Sequence, residues 1–366
     1  MNRNFQKKRV DVDASQKASE LVLNKLKSGQ IPWAFPYQSN DYTEFTSLSN
    51  GEPYKGINKV LLWIAKQENQ LQSNGFITFS QATKMSGIDG KTMGDVRSKK
   101  KPEVTLKSVN HPLANEKSVG HVVVNTLRYK NAEGELWKPK AGGKQRPSKE
   151  EIKNEGLKET WLSNIHRVWS VDQMSHIPEK YQAKLDKAKE SLQQDQYSVR
   201  NQDEKIKSVV QSIIQKSGIK VVTGEKPSYD HDRDVIIMPK INSFVSDSSF
   251  YRALVHQIVH WTGHKDRLNR NLGGISFEDS TSSRLASEEL VAELGTAFLC
   301  QKLGMNSFTS SNLEYHDSMI TSWIKLIEQG NDVLKIAASR ADKSMNYLIK
   351  TLEMEVKKEN TQELSL

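Results

Sequence analysis

The chain has 366 residues, of which 36% are hydrophobic and 27% are charged. This length favours two domains of ordinary size. The sequence contains no apolar run of about 18 residues that could span a membrane, and its N-terminus lacks the apolar core of a signal peptide. These features argue against a membrane protein and predict a cytoplasmic one.

The basic residues are concentrated in the N-terminal half, although the whole chain carries a net charge of +9. Residues 1–150 contain 25 basic and 14 acidic side chains, whereas residues 151–366 contain 28 and 30. Lysine and arginine displace condensed counterions from phosphates, so a basic domain of this kind suits a polyanion. The alternative is a charge excess that only keeps the domain soluble.

The first half mixes predicted helices with predicted strands. Helical spacing of apolar residues indicates a helix, and a short apolar run bounded by turn residues indicates a strand. The predicted helices cover residues 14–29, about 60–70, and 80–87. The predicted strands cover 75–80, 104–109, 161–173 and a pair within 120–138 that turns around Glu133 and Gly134. This half is therefore expected to be α+β.

Two polar stretches divide the chain. Residues 138–160 combine Gly, Pro and dense mixed charge, which predicts an exposed insertion. Residues 178–196 are rich in Lys, Glu and Gln, which predicts a solvated helix or a linker. The expected organisation is a basic domain over 1–176, a linker over 177–200, a second domain over 201–356 and a tail over 357–366.

The second half is also predicted to be α+β. Apolar strands are expected at 219–224 and 235–239, with a turn between them. The expected helices cover 205–218, 249–264, 285–304 and, as a pair, 313–356.

Two histidines in the helix over 249–264 are spaced for metal binding. His256 and His260 are four residues apart, so their side chains share one helical face and can bind one ion. A later helix places Glu288, Glu289 and Glu293 on an otherwise apolar face, where a carboxylate without a partner would be costly. We predict a zincin-type site for one Zn²⁺ per chain, with Glu289 as third ligand and Glu293 as hydrogen-bond partner of a ligand histidine.

Two other interpretations of these residues are open. Asp266 lies six residues after His260 and also fits a zincin spacing, although it would bind from a loop. Two core histidines that bind no metal would show the same spacing. The apolar strand at 235–239 favours the zincin interpretation, because zincin folds run a strand beside the active-site helix, where an extended substrate can pair with its edge.

Gln257 occupies the position that decides catalysis. In the motif H-E-x-x-H, the glutamate accepts a proton from water and passes it to the leaving amine. An amide cannot accept that proton. We therefore expect metal binding with hydrolysis reduced by orders of magnitude.

Aromatic and basic residues are interleaved in the N-terminal half. In single-strand binding, aromatic side chains stack on unpaired bases and cations follow the phosphates. Trp63 lies in an apolar run and is expected in the core. The predicted DNA-binding residues are Tyr54, Lys55 and Asn58 in the turn before the second helix, and the basic residues Arg97, Lys99, Lys100 and Lys101.

The chain resembles ArdC-type antirestriction proteins over nearly its whole length. The resemblance rests on PSYDHDRDVIIMP, HQIVHWTGHKDRLNR and SEELVAELGTAFL in the C-terminal half, and on IPWAFPY, NGEPYKGIN and VWSVDQ in the N-terminal half. It implies a single-stranded-DNA-binding domain followed by a zincin-like metallopeptidase domain. It also implies that His256, His260 and Glu289 bind metal, and that Gln257 replaces the catalytic glutamate.

The resemblance implies an antirestriction protein of a conjugative plasmid or related mobile element, which protects incoming DNA. A host restriction or regulatory protein is the expected peptide substrate or binding partner, and no membrane partner is expected. One alternative is a working zinc protease in which another acid serves as the base. The other is a DNA-binding module whose zincin domain acts only as a scaffold.

Overall fold

The fold is α+β, as predicted, with two separate sheets that each carry their own helices. The computed structural model describes residues 14–34, 44–99, 101–138, 146–179, 181–183, 202–273, 275, 282–303, 313–330 and 332–363. No helix in these ranges combines the length and the apolarity that crossing a membrane requires.

The N-terminal domain is built on a four-stranded sheet in the order β1-β2-β4-β3. Strand β1 (Thr46–Ser47) is parallel to β2 (Gly75–Thr78), and β4 (Lys158–Ser170) is antiparallel to both β2 and β3 (Gly120–Lys130). Strand β2 pairs only with the last three residues of β4. The remainder of β3 and β4 therefore continues beyond the sheet as a two-stranded structure, which we call the β3–β4 ribbon.

Several helices accompany this sheet in the described part of the chain. They include α1 (Ala14–Lys27), α2 (Ile57–Asn69), α3 (Phe79–Met85), α4 (Gly90–Ser98) and α5 (Lys149–Asn154). Helix α2 closes the outer edge of β3 through one side chain. Asn58 Nδ2 donates to the Val123 carbonyl at 2.9 Å, and Asn58 Oδ1 accepts the Val123 N–H at 2.6 Å. The Asn58 amide thus forms the two backbone hydrogen bonds that a neighbouring strand would otherwise form with Val123.

Some of the N-terminal predictions are wrong. Residues 104–109 form turns and no strand, because the side chains of Thr105 and Ser108 bond to each other's backbone N–H groups and compete with a sheet ladder. The strand predicted to follow β3 forms only one bridge, between Lys130 and Leu136. The full partner of β3 is β4. Helix α4 was not predicted, although Asp89 caps it by accepting from Lys91 N.

The predicted insertion over 138–160 lies between the two strands of the ribbon. Residues 139–145 lie outside the described residues. Ser148 and Glu151 then form a reciprocal capping box that starts α5. From Lys158 onward the chain already belongs to β4.

The C-terminal domain contains a three-stranded sheet in the order β5-β7-β6. Strand β7 (Val235–Met238) is parallel to β5 (Lys220–Thr223) and antiparallel to β6 (Ser228–Asp230). The expectation that the 235–239 strand offers its edge to a substrate is therefore wrong, because β7 is the central strand. Strand β6 was missed, because its polar sequence has the composition of a turn and only Tyr229 is buried.

The α-helices that follow or flank this sheet among the described residues are α6 (Gln202–Ser217), α7 (Asp247–Trp261), α8 (Ser283–Lys302), α9 (Leu313–Gln329) and α10 (Val333–Glu363). Their positions agree with the predicted helices. Helix α10 continues past residue 356 into the segment that was expected to be a tail. The predicted linker over 177–200 lies mostly outside the described residues.

One contiguous apolar core joins the two domains. The ring centroids of Trp33 and Trp323 lie 5.7 Å apart, and those of Trp63 and Phe298 lie 5.4 Å apart. Trp63 is 1% exposed, which confirms its expected core position. The N-terminal domain is thus packed on helices α8 and α9 of the C-terminal domain.

A buried lysine adds charged contacts to this interface. Lys59 of α2 is 1% exposed, and its Nζ lies 3.1 Å from Asp342 Oδ1 of α10 and 3.4 Å from Glu44 Oε1. Asp342 also accepts the backbone N–H of Gly56. A buried ammonium group requires such partners, because removing its charge from water is costly. The start of α2 is thereby fixed to α10.

Candidate metal centre

Helices α7 and α8 supply every side chain of the predicted metal site. The Ser246 hydroxyl accepts the Ser249 N–H at the start of α7, and the Ser282 hydroxyl accepts the Leu285 N–H at the start of α8. The two helices approach closely where Gly295 faces Val259. A Cβ atom added at Gly295 would lie 2.7 Å from Val259 Cγ1, so only glycine permits this approach.

The predicted ligands His256, His260 and Glu289 converge on one point. The Nε2 atoms of the two histidines lie 3.1 Å apart. The Glu289 carboxylate lies 3.2 Å from His256 Nε2 and 3.4 Å from His260 Nε2. All three residues are buried, and one ligand atom from each lies within 4.8 Å of the others. The structure therefore assembles three potential ligands at one buried position.

The Nδ1 atoms of both histidines face carboxylates. His256 Nδ1 lies 3.3 Å from Glu293 Oε1, as expected for a residue that orients a ligand. His260 Nδ1 lies 3.1 Å from Glu288 Oε1. A proton held on Nδ1 leaves the lone pair of Nε2 free to bind an ion. The two carboxylates thus fix both rings in the ligand orientation.

Two arginines neutralise the orienting carboxylates. Arg252 Nη2 lies 2.9 Å from Glu293 Oε2, and Arg270 Nη2 lies 2.7 Å from Glu288 Oε1. Each histidine therefore contacts a glutamate through Nδ1, and that glutamate in turn pairs with an arginine. Removing either partner of such a buried ion pair would destabilise the fold, because it would leave an uncompensated charge in the interior.

Arg270 also holds the end of α7. Its Nη2 donates to the Val259 carbonyl at 2.7 Å, and its Nη1 donates to the Ser344 hydroxyl of α10 at 2.9 Å. A Cβ atom added at Gly263 would lie 2.7 Å from Arg270 Nη2. Gly263 therefore does more than turn the chain after His260, since it leaves room for the guanidinium group.

Burial and charge act in opposite directions on the pKa values of the cluster. Burial alone would lower the pKa of His256, but hydrogen bonds to Glu289 and Glu293 outweigh it and raise the pKa to about 9. Burial would raise the pKa of Glu289, but the charge of His260 and the hydrogen bond from His256 lower it. Glu289 is therefore ionised at neutral pH, as a ligand carboxylate must be.

Asp266 is exposed and lies outside the cluster, whereas Gln257 is buried next to a predicted ligand in the sequence. The Asp266 side chain is 74% exposed and lies 3.4 Å from His264 Nδ1, outside the group of converging atoms. Gln257 is buried on α7, directly after His256. The geometry favours Glu289 over Asp266 as the third ligand.

The donor set fits a divalent ion. Two imidazole nitrogens and one carboxylate are the ligands of many catalytic zinc sites, which keep a further position open for water or substrate. The Nδ1 contacts turn both Nε2 atoms toward Glu289, and the burial of all three residues protects the site from bulk water. His256, His260 and Glu289 would hold the ion.

The predicted DNA-binding residues occupy two places in the N-terminal domain. Tyr54 is mostly buried, which raises the pKa of its hydroxyl to about 12, and Asn58 is engaged by Val123. Lys55 is exposed beside them. Within the described residues, no hydrogen bond or ion pair joins this turn to the basic run over 97–101, which begins in the last turn of α4.

In that run, Arg97 and Lys99 are exposed, and Lys101 Nζ lies 2.7 Å from Asp95 Oδ2. Lys100 lies outside the described residues. The free cations of the run are therefore Arg97 and Lys99 among those that the structure describes.

Comparisons with known proteins agree with this architecture. Residues 12–158 match the N-terminal domain of the anti-restriction factor ArdC, and residues 208–340 match a zincin-like metallopeptidase domain. The chain therefore carries an ArdC-type N-terminal domain followed by a zincin-like metallopeptidase domain. The expected resemblance to ArdC-type antirestriction proteins, with its two domain types in this order, is thus confirmed.

Solved structures show the same fold. The antirestriction protein ArdC from plasmid R388 aligns with a TM-score of 0.60 and 21% identity, over 93% of this chain and 98% of that chain. It is known in a metal-free and a Mn(II)-bound form. The ArdC-type fold therefore suits a divalent metal.

Curated relatives match this chain over part of their own length. Two DNA primase TraC sequences from Escherichia coli are 30% identical over 155 residues and 22% identical over 338 residues. Protein y4eC of Sinorhizobium fredii is 28% identical over 123 residues. These alignments cover 41%, 90% and 34% of this chain, but only 14%, 19% and 36% of the relatives. The ArdC-type chain thus spans a minor part of each.

Sequence reasoning did not assign roles to Glu288, Arg252 and Arg270. Arg252 had a detectable signal, because it lies four residues before His256 on the same face of α7. Glu288 stood out as a charged residue on an apolar helix. Arg270 gave no comparable signal, since its contacts depend on how the loop after α7 folds back.

We predict that Glu289→Ala lowers affinity for a divalent metal far more than Asp266→Ala does. The first substitution removes one of three buried ligands, whereas the second changes an exposed side chain outside the cluster. Titration of the metal-free variants with Zn²⁺ and with Mn²⁺ should show at least about a hundredfold loss for the first. The opposite ranking would move the third ligand to the loop.

Proposed function

We propose that this chain is a cytoplasmic antirestriction protein that binds single-stranded DNA through its basic N-terminal domain and one zinc ion through His256, His260 and Glu289. We further propose that its capacity for peptide hydrolysis is impaired. The convergence of two imidazoles and one carboxylate beside Gln257 is the observation that carries the proposal. Its site of action would be incoming plasmid DNA in the recipient cell.

The metal would supply Lewis-acid chemistry by polarising a peptide carbonyl and acidifying a water molecule. The remaining requirement of hydrolysis is a side chain that accepts a proton and returns it to the leaving amine. Gln257 can donate or accept a hydrogen bond, which positions a ligand. Its amide cannot hold the transferred proton, so the proton relay lacks its acceptor.

The other nearby acids have different tasks. Glu288 and Glu293 each face a histidine Nδ1 and an arginine, and Glu289 faces both Nε2 atoms. Burial would raise the pKa of the Glu288 carboxyl, but Arg270 and His260 hold it below its usual range, which makes this carboxylate a poor general base. Glu293 is held between Arg252 and His256. These contacts argue against a working protease that uses another acid of the cluster as its base.

We expect that Gln257→Glu increases peptide hydrolysis by at least about 100-fold, because it restores the proton acceptor beside the metal ligands. Zinc-loaded wild-type protein and variant should be compared on fluorescent casein and on a quenched peptide library. The control is Gln257→Glu combined with His260→Ala, which should abolish the gain.

Each outcome of this assay points to one function. Metal-dependent cleavage by the wild type at the rate of the variant would support a working protease with another base. Absence of cleavage by both proteins would support a zincin domain that serves as a scaffold for a host restriction or regulatory protein.

The proposal of single-strand binding rests on charge and on exposed groups. Lys55, Arg97 and Lys99 are exposed, and the N-terminal half carries the basic excess of the chain. Cations of this kind track a phosphate backbone without reading sequence. Tyr54 is mostly buried, which leaves it less ring surface for stacking than the sequence indicated.

We predict that the full chain binds a mixed-sequence single strand more tightly than the matched duplex and that salt weakens this binding steeply. The triple variant Lys55→Gln, Arg97→Gln and Lys99→Gln should reduce the slope of log affinity against log salt by about 2, at roughly 0.7 per lost phosphate contact. Fluorescence anisotropy measures both quantities.

A charge-matched control separates local contacts from net charge. It replaces Lys220, Lys226 and Lys240, which are exposed in the C-terminal domain, by Gln. This control should leave the slope nearly unchanged. Equal affinity for duplex and single strand, or binding that salt does not weaken, would contradict the proposed DNA function.

A further inference from the structure

The β3–β4 ribbon has two faces of different character. Cross-strand partners lie on the same face, so the pairing of Val124 with Asn164 and of Lys130 with Lys158 defines one of them. We call it the cationic face: alternate residues 124–130 on β3 and 158–166 on β4. The opposite face carries the buried Val123 and Tyr129. Among the described side chains of residues 123–130 and 158–166, the buried ones therefore lie on the opposite face.

The cationic face becomes free of the domain beyond Val122. At its base, a Cβ atom added at Gly120 would lie 2.5 Å from Ala65 Cβ of α2, and Val122 is 1% exposed. Val124, two residues further, is 37% exposed. From Val124 to Lys130 the face is about 20 Å long at the rise of an antiparallel strand. Helix α2 thus covers the base and leaves the outer part accessible.

The charges on the cationic face all have one sign. Arg128, Lys130 and Lys158 lie on it together with His166, and none of its nine residues is acidic. The nearest carboxylate on these strands, Glu159, belongs to the opposite face. Within the described part of the chain, Arg128, Lys130 and Lys158 form no ion pair. The three cations are therefore available to an external anion.

The placement of Lys130 directly opposite Lys158 has an energetic cost. Like charges at directly paired positions destabilise an antiparallel pair, and Arg128 adds a third positive charge two residues away on the same face. Opposite charges at these paired positions would stabilise the ribbon instead. An anion that binds across the face would offset the repulsion.

The ribbon also adjoins the proposed DNA-binding turn. Asn58, at the start of α2, bonds to both backbone groups of Val123, and Val124 is the first free residue of the cationic face. Lys55 is exposed three residues before Asn58. A polyanion that contacts Lys55 could therefore continue along the ribbon without leaving the protein surface.

We infer that the cationic face of the β3–β4 ribbon binds the phosphate backbone of single-stranded DNA and extends the contact that begins at Lys55. This inference rests on the proposed DNA function. Thr126, Thr160 and Asn164 lie between the cations and provide uncharged hydrogen-bonding groups. Such a surface holds a backbone without reading its bases.

The test is the full-length triple variant Arg128→Gln, Lys130→Gln and Lys158→Gln. Its affinity for a mixed-sequence single strand should fall at least about tenfold at low salt, and its salt slope should fall by about 2. The control that replaces Lys220, Lys226 and Lys240 by Gln removes the same charge and should change neither quantity by a comparable amount.

Two further measurements separate the causes. Thermal unfolding of the ribbon variant should occur at or above the wild-type temperature, because the substitutions remove a like-charge pair. Glu159→Gln, on the opposite face of the same ribbon, should bind DNA like the wild type. If the ribbon variant loses DNA affinity but not thermal stability, the loss of affinity is due to the removal of cations from the cationic face.

The possible failures are distinguishable. If the wild type binds no single strand, the proposed DNA function fails and this inference fails with it. If the wild type binds and the ribbon variant matches the control, only the ribbon assignment is overturned. If the variant loses duplex affinity alone, the ribbon contacts a duplex and the single-strand assignment is wrong.

Discussion

Three carboxylates on one buried stretch of α8 constrain the rest of the C-terminal domain. Glu288, Glu289 and Glu293 are each at most 5% exposed, and a carboxylate at such a position must be compensated. The compensation comes from α7 and the loop after it, as two histidines and two arginines. The close approach of the helices and the glycines that permit it follow from this requirement. The cluster therefore determines how α7 lies on α8.

Helix α10 connects the candidate metal cluster to the N-terminal domain. Asp342 of α10 accepts the Gly56 N–H and binds Lys59, both at the start of α2. Two residues later on α10, Ser344 accepts a hydrogen bond from Arg270, which holds Glu288. One helix therefore contacts both the turn before α2 and the outer part of the metal cluster. The two domains are distinct in sequence but share one core and one polar interface.

Local patterns in the sequence predicted the centre of the site. The spacing of His256 and His260 needs only one helix, and the apolar surroundings of Glu289 indicated a buried carboxylate. The arginines that neutralise the cluster depend on tertiary contacts, so they were not identified. The register of the β3–β4 ribbon joins strands across a 27-residue connection, which no local pattern determines. The cationic face could therefore be seen only in the structure.

We expect His256, His260 and Glu289 to bind one divalent metal ion per chain. Elemental analysis of the purified full-length protein, beside the variant His256→Ala/His260→Ala, tests it most directly. We predict close to one ion per chain in the wild type and less than about a tenth of that in the variant, since one remaining ligand cannot close a site. Equal metal content in the two proteins would contradict it.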